Sequence, residues 1–211
     1  MRHSLLAPVL ALAVLLPGSA HAQQGRVELV PFVGWMFGGA YELDVGDLEV
    51  KDDIGYGGTL SFNMGRGAFI DLTYIRQDSE IDFTSPLAPP NTDIDLSTNY
   101  LYIGGHREFG AYQQAFRPYI GGTLGMVIFD PSVNGEDREN REEFSLGLNG
   151  GFKALFGADQ RFGLRGEIRG MWSWIPSDDY GYWCDFYGCF VVQGTNTVAQ
   201  GLASGGLIIK F

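Results

Sequence analysis

The stretch Ile54-Gly55-Tyr56-Gly57-Gly58-Thr59-Leu60-Ser61-Phe62-Asn63-Met64 sets Ile54, Tyr56, Leu60, Phe62 and Met64 against Gly55, Gly57, Thr59, Ser61 and Asn63. Side chains repeat every two residues along a β-strand, so this segment reads as a strand with one apolar face. Its other face is unusual, being made of glycine, small hydroxyls and an amide rather than Lys and Glu.

The pattern recurs along the chain. From Phe144 to Phe156, residues Phe144, Leu146, Leu148, Phe152, Ala154 and Phe156 alternate with Ser145, Gly147, Asn149, Gly151 and Lys153. Next, Phe162, Leu164, Ile168, Trp172 and Trp174 alternate with Gly163, Arg165, Glu167, Arg169 and Ser173, which puts three charges on one strand face and demands a polar or paired environment. Weaker runs cover Val27 to Phe37, Ala68 to Gln77, Leu96 to Phe109, Pro118 to Phe129 and Phe190 to Phe211, which completes eight strands. For Leu96 to Phe109 the inward face stays open, because Leu101 and Ile103 oppose Tyr100 and Tyr102.

Short connections at Arg66-Gly67, at Gly157 to Arg161 and, somewhat longer, at Gly110 to Arg117 alternate with long ones at 40–53, 78–95, 130–143 and 176–189. That asymmetry is the one expected of an outer-membrane barrel with periplasmic turns and extracellular loops. Pro86, Pro89 and Pro90 keep the second long loop irregular. A soluble sandwich would show the same alternation, but soluble surfaces are coated in Lys and Glu. A Gly, Ser, Thr and Asn face suits a cramped interior, and a sheet in lipid must close to satisfy its backbone. The reading is an all-β, eight-stranded antiparallel up-and-down transmembrane β-barrel. Trp35, Phe37, Tyr56, Tyr74, Trp172 and Trp174 at the long-loop ends, with Phe109, Phe116, Phe156, Phe162 and Phe211 at the short-turn ends, form the two interfacial belts.

At the N-terminus, Arg2 precedes an apolar run from Leu5 to Leu16 and the tripeptide Ala20-His21-Ala22. This is the pattern of a secretory signal peptide over 1–22, leaving a barrel domain over 23–211 that is exported through the periplasm. The remainder holds no apolar run long enough for a helical span. With 31 glycines, 14% aromatic residues and a net charge of −11, the chain makes a poor helical protein and a poor partner for nucleic acid. Its two cysteines, Cys184 and Cys189, are too few for a zinc site and in an exported protein should form one disulfide, worth about 2 kcal/mol for so small a ring.

At the C-terminus, Ala203, Gly205, Leu207, Ile209 and Phe211 step by two to a terminal aromatic. This resembles the sorting signal read by the barrel-assembly machinery. Together with the signal peptide, the eight strands and Arg117-Pro118-Tyr119-Ile120-Gly121-Gly122, the mature chain is similar to the OmpA/OmpX-type small outer-membrane β-barrels over its full length. The resemblance implies an integral protein of the cell outer membrane, in contact with its lipid and lipopolysaccharide. OmpA itself adds a peptidoglycan-binding domain that is not expected here.

An eight-stranded barrel can be filled by its own side chains. The inferred inward set of Glu28, Asp71, Lys153, Arg165, Glu167, Arg169 and Lys210 carries both signs and predicts a plugged lumen, with Glu28 and Lys210 on the two strands that must meet to close it. Catalysis is not expected. After the signal peptide the only histidine is His106, flanked by Gly104, Gly105 and Arg107 rather than placed beside a serine as a hydrolase needs. No glycine cluster forms a strand-to-helix phosphate loop, so no cofactor is expected. The long loops hold 20 of the 25 acidic residues. Clusters such as Asp44, Asp47 and Glu49, or Glu136, Asp137 and Glu139, lack the spacing of a Ca²⁺ loop and read as solvated acidic surface open to divalent cations or basic ligands. The function that fits is a monomeric, non-enzymatic barrel that supports the envelope and presents acidic loops for ligands, hosts or other cells. The alternatives are a narrow channel for small or hydrophobic molecules resembling OmpW-type barrels, and a lipid-modifying outer-membrane enzyme.

Deleting Phe211 is expected to impair assembly, seen as loss of the heat-modifiable band on denaturing gels. Assembly indifferent to that deletion in cells would remove the sorting role.

Overall fold

The computed structural model describes residues 27–38, 40–43, 46–84, 94–110, 114–133, 136–137, 140–157, 159–174, 181–185, 188–192 and 197–211. Thirteen strands are present among them: β1 Val27–Phe37, β2 Ala40–Leu43, β3 Gly46–Val50, β4 Asp53–Gly65, β5 Ala68–Thr84, β6 Ile94–Glu108, β7 Phe116–Val133, β8 Glu136–Asp137, β9 Arg141–Phe156, β10 Phe162–Trp174, β11 Gly181–Asp185, β12 Gly188–Val192 and β13 Thr197–Lys210. Eight of them pair antiparallel in the cycle β1, β4, β5, β6, β7, β9, β10, β13 and back to β1, so the sheet has no open edge through the barrel wall. Closure runs from Glu28↔Lys210 to Phe37↔Gly201, and the amide of Phe211 donates to the Val27 carbonyl at 2.9 Å. The chain is a closed, eight-stranded, all-antiparallel β-barrel.

The side-chain period sorts the two faces. Val33, Leu148 and Ile168 are 56%, 62% and 68% exposed on the outside, where lipid meets them. Their neighbours one residue away point into the lumen: Phe32 beside Val33 is half-buried, and Asn149 beside Leu148 and Glu167 and Arg169 on either side of Ile168 are buried. The open question at 96–109 resolves with Leu101 and Ile103 outward and Tyr100 and Tyr102 buried inward. Inside, Tyr100 donates to Gln200, while the hydroxyls of Tyr102 and Ser145 stand 2.7 Å apart, so buried phenols keep polar partners. Both aromatic belts lie on the exposed outer face.

The turn between β4 and β5 shows why some glycines sit where they do. Arg66 and Gly67 have φ of 55° and 75°, the left-handed pair of a two-residue hairpin whose twist matches its strands.

Four stretches differ from the sequence expectation. The run Phe190 to Phe211 is not one strand: Phe190 and its neighbours belong to β12, which pairs with β11 in a separate hairpin, and the barrel strand begins at Thr197. Segments 40–53, 78–95 and 130–143 are not wholly loop. β2 and β3 form a hairpin whose second strand pairs with the end of β5, β6 begins at Ile94, and β7 runs to Val133 where it meets β8. Polar residues such as Asp78 and Asp95 read as turn signals, yet backbone pairing continues past the lipid wherever a neighbouring strand supplies the ladder. The signal-peptide segment, Pro86, Pro89, Pro90, Asp44 and Glu139 lie outside the described residues.

Cys184 and Cys189 face each other as register partners in the β11–β12 hairpin. Opposite residues of an antiparallel pair have Cα atoms about 4.5–5.5 Å apart, within the span of a disulfide. Protein purified without reductant is expected to resist thiol alkylation until reduced. Labelling of both cysteines without reductant would refute the pairing.

Candidate functional site

The lumen is the one place in the described structure where charged groups gather away from water. All seven predicted residues point into it. Glu28, Asp71, Lys153, Arg165, Glu167 and Arg169 are buried, and Lys210 sits near the short-turn rim with its side chain 12% exposed.

Two clusters form. In the first, Arg165, Glu167 and Arg169 share the inward face of β10 two residues apart, and the acid lies between the bases. Glu167 accepts from Arg169 Nη2 at 2.8 Å and Nε at 3.1 Å, from Tyr119 Oη at 2.7 Å, from Asn149 Nδ2 at 3.0 Å, and from Arg165. Arg165 Nε donates in turn to Tyr119 Oη at 2.7 Å, and Arg169 Nη1 to Thr123 Oγ1 at 3.2 Å. One carboxylate therefore ties β10 to β7 and β9 across the interior. In the second, Lys153 Nζ donates to Glu28 and to Glu108 at 2.6 Å each, and lies 4.2 Å from the centre of the Phe69 ring. Glu28 also pairs with Lys210 at 2.9 Å, and Glu108 with Arg117 at 3.3 Å, while Arg117 donates on to Gln160 in the β9–β10 turn.

Sequence reading missed Glu108, Arg117, Tyr119, Asn149 and His106 as members of this network. Parity held the signal. His106 and Glu108 share the even face of β6 with Tyr100 and Tyr102, so placing the charges inward settles the whole strand. Arg117 lies one residue before the apolar run that was read as its strand.

His106 is packed between the Phe69 ring, stacked at 4.6 Å, and Tyr119, tilted at 5.0 Å. Its Nδ1 donates to Asp71 at 2.6 Å, and its Nε2 faces Glu108 at 3.9 Å. Ser61 is the register partner of Asp71, which puts the acid between the serine and the histidine. A hydrolytic relay requires the histidine between the two, an order this triplet lacks, and the His106–Asp71 bond ties β6 to β5.

Apolar side chains share the bore with the charges. Met36, Ile75, Tyr100, Tyr102, Val127, Met171 and Leu202 form one buried cluster, with Phe32 and Phe129 against it, and Val30, Leu155 and Ile208 form another. No group of metal ligands occurs among the described residues.

A closed, lipid-faced barrel with a charged interior defines an outer-membrane β-barrel, and the comparisons agree. The family model for the outer membrane protein beta-barrel domain matches residues 9–185, and the chain belongs to that family. Neisserial surface protein A is similar in structure, at 15% identity and a TM-score of 0.58 over 88% of this chain and 97% of that one. So is the outer membrane protein AlkL, solved in DMPC lipid bilayers, at 11% identity and a TM-score of 0.54 over 93% and 96%. OprG from Pseudomonas aeruginosa follows at 13% identity and 0.50, over 89% and 97%. At such identities the likeness is one of fold. No curated protein matches the chain in sequence.

Replacing Lys153 by Met leaves Glu28 and Glu108 without their shared cation and is expected to cost roughly 3–5 kcal/mol, the usual penalty for breaking a buried pair. Urea unfolding in lipid vesicles measures it. In a double-mutant cycle, Glu28→Gln should cost less when Lys153 is already Met. An unchanged midpoint for Lys153→Met would show that the pair contributes nothing.

Proposed function

We propose that this protein is a non-conducting, non-enzymatic barrel that supports the outer membrane and presents strand-extended acidic loops to ligands, host surfaces or other cells. The observation that carries this reading is the bore itself, where Lys153 bridges two carboxylates and Glu167 gathers several donors between two apolar clusters. An ion would have to separate paired charges and pass the apolar side chains packed among them. A wall braced from within, with β5, β6 and β7 prolonged beyond the lipid, is suited to holding recognition loops clear of the membrane. The acidity of the long loops favours divalent cations or basic molecules as partners, and the neighbouring lipopolysaccharide is anionic too, so cations would bridge the two.

A second reading, a conduit for small hydrophobic molecules, draws on the apolar upper lumen of Met36, Ile75, Val127, Met171 and Leu202. Single-channel recording in planar bilayers separates the two for ions. The expected result is no stable opening at neutral pH, and a steady large conductance would overturn the plugged-barrel reading. Mass spectrometry of lipid A from cells with and without the protein should show no change in acylation; a change would make it an enzyme.

A further inference from the structure

The outer wall of the barrel carries a polar patch that belongs neither to the lumen nor to the loops. Gly58, Tyr74, Leu101, Met126, Phe144 and Trp174 are successive register partners around the outside and mark the edge of the apolar band. Two residues further toward the long loops, the next row reads Tyr56, Arg76, Asn99, Ile128 and Glu142. Its side chains are tied together in advance. Asp78 accepts from Tyr56 Oη at 3.0 Å, from Arg76 Nη2 at 2.7 Å and from Ser97 Oγ at 2.6 Å. Asn99 accepts from Tyr74 Oη at 2.8 Å and donates to Asp130 at 3.2 Å. The hydrogen bonds from Arg76 hold the Asp78 carboxyl down to about 2, so it stays ionised. Arg76 and Asp78 remain 38% and 47% exposed, which leaves this pair open to a ligand, while Asn99 is itself buried and holds Asp130 in place.

Below the row, within the lipid-facing band, the same wall is hollowed into a groove of about 400 Å³ with Gly122 and Gly147 in its floor and Leu124, Leu146, Leu148 and Trp172 along its sides. A Cβ at Gly122 would lie 3.5 Å from Leu148 Cδ2, so a side chain there fits and fills the groove. Both features share β7, where Leu124 and Asp130 are separated by on the order of 20 Å of strand, a length one lipid can span from headgroup to mid-chain.

We propose that this wall binds one glycolipid of the outer leaflet, its sugar headgroup on the Arg76, Asp78 and Asp130 patch and an acyl chain in the Gly122 groove. The groove faces lipid, so its occupant is a hydrocarbon chain. Above it, the many hydroxyls of a sugar headgroup can donate to the Asp78 and Asp130 carboxylates and accept from the Arg76 guanidinium, where a phosphatidylglycerol headgroup offers only its two glycerol hydroxyls. The site gives residues to the lipopolysaccharide contact expected of the protein and is independent of whether the lumen conducts.

The test is native mass spectrometry of the refolded barrel in mixed micelles carrying either rough lipopolysaccharide or phosphatidylglycerol. The wild type is expected to retain one lipopolysaccharide under conditions that strip phosphatidylglycerol. Arg76→Ala, Asp78→Ala and Gly122→Leu should each lower that retention about tenfold, the weight of a charged or well-placed polar contact or of a displaced chain. All three should stay heat-modifiable, and Leu29→Ala on the β1 wall should retain lipid as the wild type does. Equal retention of both lipids, or variants that bind like the wild type, would overturn the site. Loss in Gly122→Leu alone would overturn the headgroup patch.

Discussion

Hydrocarbon offers backbone amides no hydrogen-bond partner, and everything in this structure follows from meeting that demand. A sheet with an edge in lipid would strand a row of N–H and C=O groups, so the first and last barrel strands must find each other. Here they do so from Glu28↔Lys210 upward. Closure then creates an inside, and at eight strands that inside is small enough for side chains to fill.

The consequence for the interior is strict. A charge placed there has left water and must be met by its opposite with good geometry. The two clusters achieve this differently. On β10 the pairing is local, with Arg165 and Arg169 flanking Glu167 on one strand face. Around Lys153 it is wholly long-range, joining β9 to β1 and β6. The local cluster fixes side-chain positions, while the long-range one ties strands far apart in sequence. A lumen held in this way braces the wall from within.

Outside, the same alternation that buries the charges presents lipid with a nearly continuous apolar surface. Its departures are informative: glycines where a large side chain would be expected open the groove near Trp172, and polar residues just past the aromatic row make a collar at headgroup depth. Beyond the collar, strand pairing continues with acidic side chains, so the protein projects ordered backbone into a charged layer.

What the sequence determined by itself was the part governed by period two. The alternation at Ile54 to Met64, Phe144 to Phe156 and Phe162 to Trp174 settles strand, face and barrel, because a side chain's side of a strand depends only on parity. The same parity placed Glu28, Asp71, Lys153, Arg165, Glu167, Arg169 and Lys210 inside. Parity could not say which residues meet across the bore. That Lys153 bridges Glu28 and Glu108, or that His106 rests on Asp71, depends on strand register and closure, which bring together residues as far apart as β1 and β9. Nor could it tell that the run ending at Phe211 begins at Thr197 while Phe190 pairs elsewhere, since an apolar residue suits either hairpin until its partner strand is in place. The outer collar was hidden for the same reason: Tyr56, Asp78 and Asn99 are unremarkable apart and become one surface only when β4, β5 and β6 lie side by side.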